Sequence, residues 1–223
     1  MKTKVSLFLS VFCLGLVKEN LRADEFSITK DIASLVTVTQ DHGYSSQYFI
    51  DPVMHINHIN DIDLRTIAGK KLASAIVLAC LELSKSHNDA DFTLYISCKR
   101  DRIVIIVTLY PRSTYVPVAQ CVFCDRNKFS GDIIFENSTA IAFEKSRPAR
   151  NPINFLIVPK KHVVNYKDKN FKPEIFINQL AMAQELSQKL TDHRVDLYVN
   201  NGSNAAQSVF HSHMHFHSPA QWK

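Results

Sequence analysis

Four of the ten histidines, His211, His213, His215 and His217, stand at alternate positions inside "QSVFHSHMHFH". On an extended strand alternate side chains share a face. The spacing therefore predicts four imidazoles on one side, roughly 6.6 Å apart, with Ser212, Met214 and Phe216 on the other. A neutral imidazole titrates near working pH and is a good nucleophile toward phosphorus. It splits one hard displacement into two steps through a phosphohistidine. A solvated strand face or a metal-binding tract is the plainer reading of the same row. Just upstream, Asn200 and Gly202 in "VNNGSNAA" read as a turn between two strands.

Cys121 and Cys124 form the one close cysteine pair, "CVFC". Two thiolates separated by two residues, with a histidine further on, have zinc-ligand spacing. A redox pair, which would want a βαβ context, and two unpaired core thiols are the other readings. Five cysteines is an odd count and argues against a disulfide framework. Cys13, Cys80 and Cys98 sit in apolar or strand-like surroundings and read as core residues.

The elements that must position these residues repeat. "YFIDPVMHINHIND" (48–61) and "FLIVPKKHVVNYKD" (155–168) share Ile, Pro, His and Asp at a constant separation of 107 positions. His55 is matched with His162 in this way, and without a cysteine pair in its own half it reads as a packing histidine. Two short strand candidates precede each stretch: "EFSIT" and "SLVTV" in one half, "DIIFE" and "AIAFE" in the other. A helix follows each, predicted over 64–86 and over 173–190, the second opening with proline and carrying Ile175, Leu180, Ala183 and Leu186 at helical spacing. Two more strands close each half. A unit of about a hundred residues occurring twice is the simplest account. The predicted fold is α+β, two tandem repeats, with halves at 24–112 and 121–223 and a connector over 113–120. Aligning Pro111 with Pro219 sets Ile103, Ile105 and Val107 opposite the histidines, so the first half reads as a scaffold without the site.

With 223 residues the chain is long enough to bury a substantial core. A net charge of +5, carried on scattered lysines and arginines, gives no sign of nucleic-acid binding and suits small acidic substrates such as phosphates. Residues 1–23 carry a 13-residue apolar run after Lys2 and Lys4, too short to span a membrane. The run resembles a secretory signal, but Leu21 spoils the cleavage site, and cytoplasmic retention is expected ahead of export.

"NNGSNAAQSVFHSHMHFH" resembles the signature of the histidine-triad (HIT) family, closest to its Hint branch. "CVFC", "IIFENSTAIAF" and "FLIVPKKH" precede it in the family's order, so the resemblance runs from Cys121 to the C-terminus. It implies an antiparallel sheet with a helix, paired with a second unit through a joined sheet. The internal repeat would then be that dimer fused into one chain, as in galactose-phosphate uridylyltransferase. The implied activity is hydrolysis of nucleotide phosphoramidate or phosphoanhydride bonds. His213 would be the nucleophile, His215 the phosphate contact and His211 an orienting group. Ser208 would hydrogen-bond the leaving group, with Asn200 and Gln207 near the phosphate. Phe135 and Phe143 keep base-stacking positions, or are strand core. The transferases have Gln where His215 stands, which puts this chain on the hydrolase side. Some bacterial members bind a structural zinc through residues that match Cys121, Cys124, His162 and His211. The implied partner is a nucleotide or nucleoside phosphoramidate, with the chain a monomeric pseudo-dimer or a homodimer.

Three departures stand out. Lys145 replaces an Asp that grips the ribose, and a lysine accepts no hydrogen bond. Asn154 replaces a His, and Ala205 and Ala206 replace two glycines. Lys145 and the two alanines favour the alternative of a non-catalytic, zinc- and nucleotide-binding regulatory module.

Overall fold

A computed structural model describes residues 34–41, 43–99, 102–114, 121–125, 133–144 and 153–221. The strands are β1 (Val36–Gln40), β2 (Gln47–Pro52), β3 (Asp91–Lys99), β4 (Arg102–Tyr110), β5 (Ile133–Glu136), β6 (Ala140–Glu144), β7 (Ile153–Pro159), β8 (Val195–Asn201) and β9 (Met214–Ser218). They form one sheet in the order β1-β2-β4-β3-β8-β9-β7-β6-β5, with each neighbouring pair antiparallel. Two helices, α1 (Ile67–Ser86) and α2 (Pro173–Gln188), lie side by side on one face. The predicted strand "EFSIT" and the N-terminal apolar run lie outside the described residues.

The order is symmetric about the β3–β8 seam: β1, β2, α1, β3 and β4 correspond to β6, β7, α2, β8 and β9. Tyr95 pairs with Tyr198 at that seam, each preceded by leucine. A local two-fold relation passes beside this pair, and the fold is an α+β pseudo-dimer of two tandem repeats. The shared sequence has a shared structural job. Asp61 Oδ2 accepts from the Asn57 amide at 2.7 Å, and Asp168 Oδ2 accepts from the Val164 amide at 2.9 Å, the same bond 107 positions later.

Register corrects the expected counterparts of the histidines. Phe49 pairs with Ile106 and its equivalent Leu156 pairs with His215. The residues that correspond to His213 and His215 are thus Val104 and Ile106, not Ile105 and Val107, and Thr108 corresponds to His217. A one-residue slip exchanges the faces of a strand. Ile105 and Val107 point under the helices, as Met214 and Phe216 do. The first half still lacks a histidine row.

α1 begins at Ile67, three residues later than predicted, because the Thr66 side chain caps it by accepting from the Gly69 amide at 3.1 Å. Leu72, Ile76, Val77 and Cys80 then recur at helical spacing and are buried. α2 opens with Pro173 as predicted and buries Ile175, Phe176, Leu180, Ala183 and Leu186. One apolar core joins both helices to the sheet across the seam. Burying each large side chain there contributes about 1.5–3 kcal/mol. Cys80 and Cys98 lie in this core, as expected, whereas His55 is exposed on a loop. Among the described residues no helix is long and apolar enough to cross a membrane.

Candidate active site

The face of the sheet away from the helices carries Asn200, Tyr198 and Asp196 on β8 and His215 and His217 on β9. The four histidines do not share one strand. β9 starts at Met214, so His211 and His213 belong to an irregular segment before it. The reason lies in that segment's hydrogen bonds. The Ser212 amide donates to the Val163 carbonyl at 2.6 Å, and His211 Nε2 lies 2.8 Å from the Pro159 carbonyl. Both partners follow or end β7, so the chain is drawn there before it joins the ladder.

His213 Nδ1 lies 2.8 Å from the His211 carbonyl. A carbonyl only accepts, so Nδ1 carries the proton and the neutral ring keeps its lone pair on Nε2. His215 stacks on its ladder partner Tyr198 with centroids 4.1 Å apart and planes 9° from parallel. The His213 and His215 rings are 5.0 Å apart, and both side chains are buried. His217 is half-buried against the Tyr198 edge and opposite Asn154, whose buried side-chain oxygen has no hydrogen-bond partner among the described residues.

Cys121, Cys124, His162 and His211 converge, their ligand atoms all within 4.8 Å of one another. His211 Nδ1 is 3.4 Å from Cys121 Sγ and 3.6 Å from Cys124 Sγ, and His162 Nδ1 is 3.2 Å from Cys124 Sγ. Tetrahedral zinc, with its usual bond lengths, holds sulfur and nitrogen ligands about 3.6 Å apart. The donor set therefore fits such an ion. His211 also gives its other ring nitrogen to a backbone carbonyl, the orienting bond that metal-bound histidines make. Burial lowers the His211 pKa to about 4, with the neighbouring His162 and His213 rings adding to the effect. Burial and the adjacent Cys121 raise the Cys124 thiol to about 11. A divalent cation reverses the thiol's preference, since it binds the thiolate.

The loop before the triad is held by its own side chains. The Gly202 amide donates to Gln207 Oε1 at 2.9 Å, and Gln207 Nε2 donates to the carbonyls of Val164 at 2.6 Å and Val209 at 3.1 Å. Gln207 is buried and spends its amide on the loop, so it is a brace here, in contrast to the phosphate contact that the resemblance implies. Ser208 is exposed beside it. Asn200 accepts from the Thr93 hydroxyl at 3.1 Å and lies one step past the Val199–Met214 pair, level with His213.

The two phenylalanines separate. Phe143 is on the triad's face, 5.4 Å from Phe123. Phe135 is on the other face, packed toward the helices with Lys189 Nζ 4.3 Å over its ring. A bulge between Ile133 and Phe135 sets its direction, and it does not meet the triad. Lys145 lies outside the described residues. Phe123, 5.3 Å from His213, and Tyr198 are site residues that the sequence reading passed over. The first sits inside "CVFC" and the second in the repeated Leu-Tyr, which were the available signals.

The HIT domain family matches residues 126–221. An uncharacterized 16.1 kDa HIT-like protein of Mycoplasma pneumoniae is 35% identical over 99 residues, which cover 43% of this chain and 68% of that protein. The chain belongs to the HIT family. Its pseudo-dimeric architecture has likenesses of its own among solved structures. An ADP-glucose phosphorylase from Arabidopsis thaliana with bound ADP-glucose superposes with a TM-score of 0.58 at 10% identity, over 84% of this chain and 72% of that one. A uridylyltransferase mutant gives a TM-score of 0.56 at 15% identity, over 79% and 68%. At such identities the likeness is one of fold. The HIT match lies wholly in the second half, where the triad stands.

Proposed function

We propose that the chain hydrolyses nucleotide phosphoramidate or phosphoanhydride bonds through a nucleotidyl-His213 intermediate. The observation that carries this reading is the Nδ1 bond of His213 to the His211 carbonyl, which puts the ring proton on Nδ1 and the lone pair of the neutral ring on Nε2. That lone pair attacks phosphorus, and the bond from phosphorus to the leaving nitrogen or oxygen breaks with its electrons on the leaving group. Ser208 donates a hydrogen bond to that atom, which takes a proton from solvent as it departs. Water then attacks phosphorus, the P–N bond to His213 breaks, the electron pair returns to Nε2, and the water's proton goes to solvent. His215, fixed by Tyr198, binds the phosphate oxygens. Asn200 and Phe143 line the nucleotide's approach.

We further assign Cys121, Cys124, His162 and His211 to one structural zinc. Four protein ligands leave no open position for water, so the ion would supply rigidity and no acid catalysis. The division at 24–112 and 121–223 gives one site per chain, because Val104, Ile106 and Thr108 replace the histidines in the first half. The brace role of Gln207 favours a second reading, a nucleotide-binding module without turnover. A panel of adenosine and guanosine phosphoramidates and dinucleoside polyphosphates separates the two. Turnover that His213→Ala abolishes supports the enzyme, and binding without turnover across the panel supports the module.

A further inference from the structure

The half without histidines holds the loop that leads to the triad. Asp91, at the start of β3, is 1% exposed, and a carboxylate buried to that extent must be paired. Lys167 Nζ donates to its Oδ1 at 2.7 Å and also reaches the carbonyls of Asp89 at 3.0 Å and Ala90 at 3.3 Å. The Asn204 amide donates to Oδ2 at 3.1 Å, and the Ser113 hydroxyl supplies a further hydrogen bond. Ser113 Oγ in turn accepts from the Ser203 amide at 3.3 Å, and Asn204 Nδ2 donates to the Pro111 carbonyl at 3.0 Å. Gly202 presses so closely on this carboxylate that a Cβ would lie 2.1 Å from Asp91 Cγ. The Gly202 contact and the bonds of Ser203 and Asn204 tie residues 202–204 of the second half to Asp91 and Pro111 of the first half and to Ser113 of the connector.

The pairing of Tyr95 with Tyr198 makes Arg194 the repeat counterpart of Asp91. Arg194 turns instead to Asp192, so the arrangement is not a relic of duplication present in both halves. It exists on the one side where a loop leads into a histidine row.

We propose that Asp91 is a positioning residue: with Lys167 and Ser113 it clamps the Gly202–Gln207 loop and thereby fixes where Ser208 meets the leaving group. This rests on the reading of Ser208 as the leaving-group donor. It also gives the first half a part in the reaction of the second.

The test compares wild type with Asp91→Asn and with the gentler Ser113→Ala, which leaves no buried charge unpaired. In Asp91→Asn, one oxygen that faces a donor becomes an amide N–H facing that donor. Amide hydrogen exchange at Asn204 and Gln207, whose amides are bonded within the clamp and its loop, should then quicken by about tenfold or more, while β9 amides keep their protection. Ser113→Ala should show a smaller change at the same amides. Rates on substrates of graded leaving-group basicity should fall in Asp91→Asn as they do in Ser208→Ala, steeply for poor leaving groups and little for good ones. The double variant should lose nothing further. Unchanged loop exchange in both variants overturns the clamp, and so does a rate loss that ignores the leaving group. If wild type turns nothing over, the functional reading falls, and the exchange measurement alone decides the clamp.

Discussion

Replacing Gly202 with alanine should destabilise the protein by about 2–6 kcal/mol, the sum of two costs that arise separately. The first is in the backbone. Gly202 has φ 101° and ψ 160°, a region that is essentially glycine's alone, and a side chain held there costs about 1–3 kcal/mol. The second is steric. The new Cβ would lie 2.1, 2.2 and 2.3 Å from Cγ, Oδ1 and Oδ2 of Asp91, so the carboxylate must move. Lys167 and the Asn204 amide pin that carboxylate, and forcing a packed buried group aside costs about 1–3 kcal/mol more. Denaturant unfolding of both proteins supplies the measurement, read as a shift in midpoint at constant slope. Gly43→Ala is the control. Its Cβ would be 3.4 Å from Asp41 Oδ1, an ordinary contact on an exposed turn, and the change should stay within about 0.5 kcal/mol. A loss below about 1 kcal/mol at Gly202 would refute the close packing of this loop on Asp91.

Ala206 sits at φ 63°, where a Cβ costs about 1 kcal/mol, so Ala206→Gly should be neutral or stabilising by up to about that amount in the same unfolding assay. Cys124→Ser should lose one bound metal per chain and lower the thermal midpoint, checked by elemental analysis of protein purified without added metal. Wild type that is metal-free and equally stable would remove the zinc assignment. Hydrogen bonds from Lys167, Ser113 and Asn204 outweigh burial and hold the Asp91 carboxyl below its ordinary pKa. A lowered native pKa contributes stability above the unfolded value of about 4, lost as pH falls through the native value. The stability gap between wild type and Asp91→Asn should therefore be full at neutral pH and shrink in acid, as pH-dependent unfolding would show.

The sequence was most legible where a residue's chemistry and its neighbours pointed the same way. Pro173 opening α2, the apolar spacing along both helices and the convergence of Cys121, Cys124, His162 and His211 are of this kind. The repeat was legible because its shared residues do identical work, as Asp61 and Asp168 do. What failed was decided by long-range pairing. Alternation alone predicted a strand from His211, but the carbonyls of Pro159 and Val163 capture that segment first. The counterparts of the histidines were set one residue off because loop lengths differ between the halves, and register, not a shared proline, fixes the face. Phe135 read as a companion of Phe143 until a bulge turned it to the other side. Asp91 carries no local pattern at all, and the repeated Leu-Tyr that contains Tyr198 does not say what its ring packs against. Their roles come from the seam between halves, which no window of sequence contains.

The central claim is that His213 carries the nucleotide. The direct measurement is a substrate-dependent mass increase, mapped by peptide analysis after a rapid quench that avoids acid, since phosphoramidates hydrolyse there. The account predicts one nucleotidyl adduct on His213, absent in His213→Ala, with that variant keeping its fold and its metal. An adduct on another residue, or full activity in His213→Ala, would contradict it.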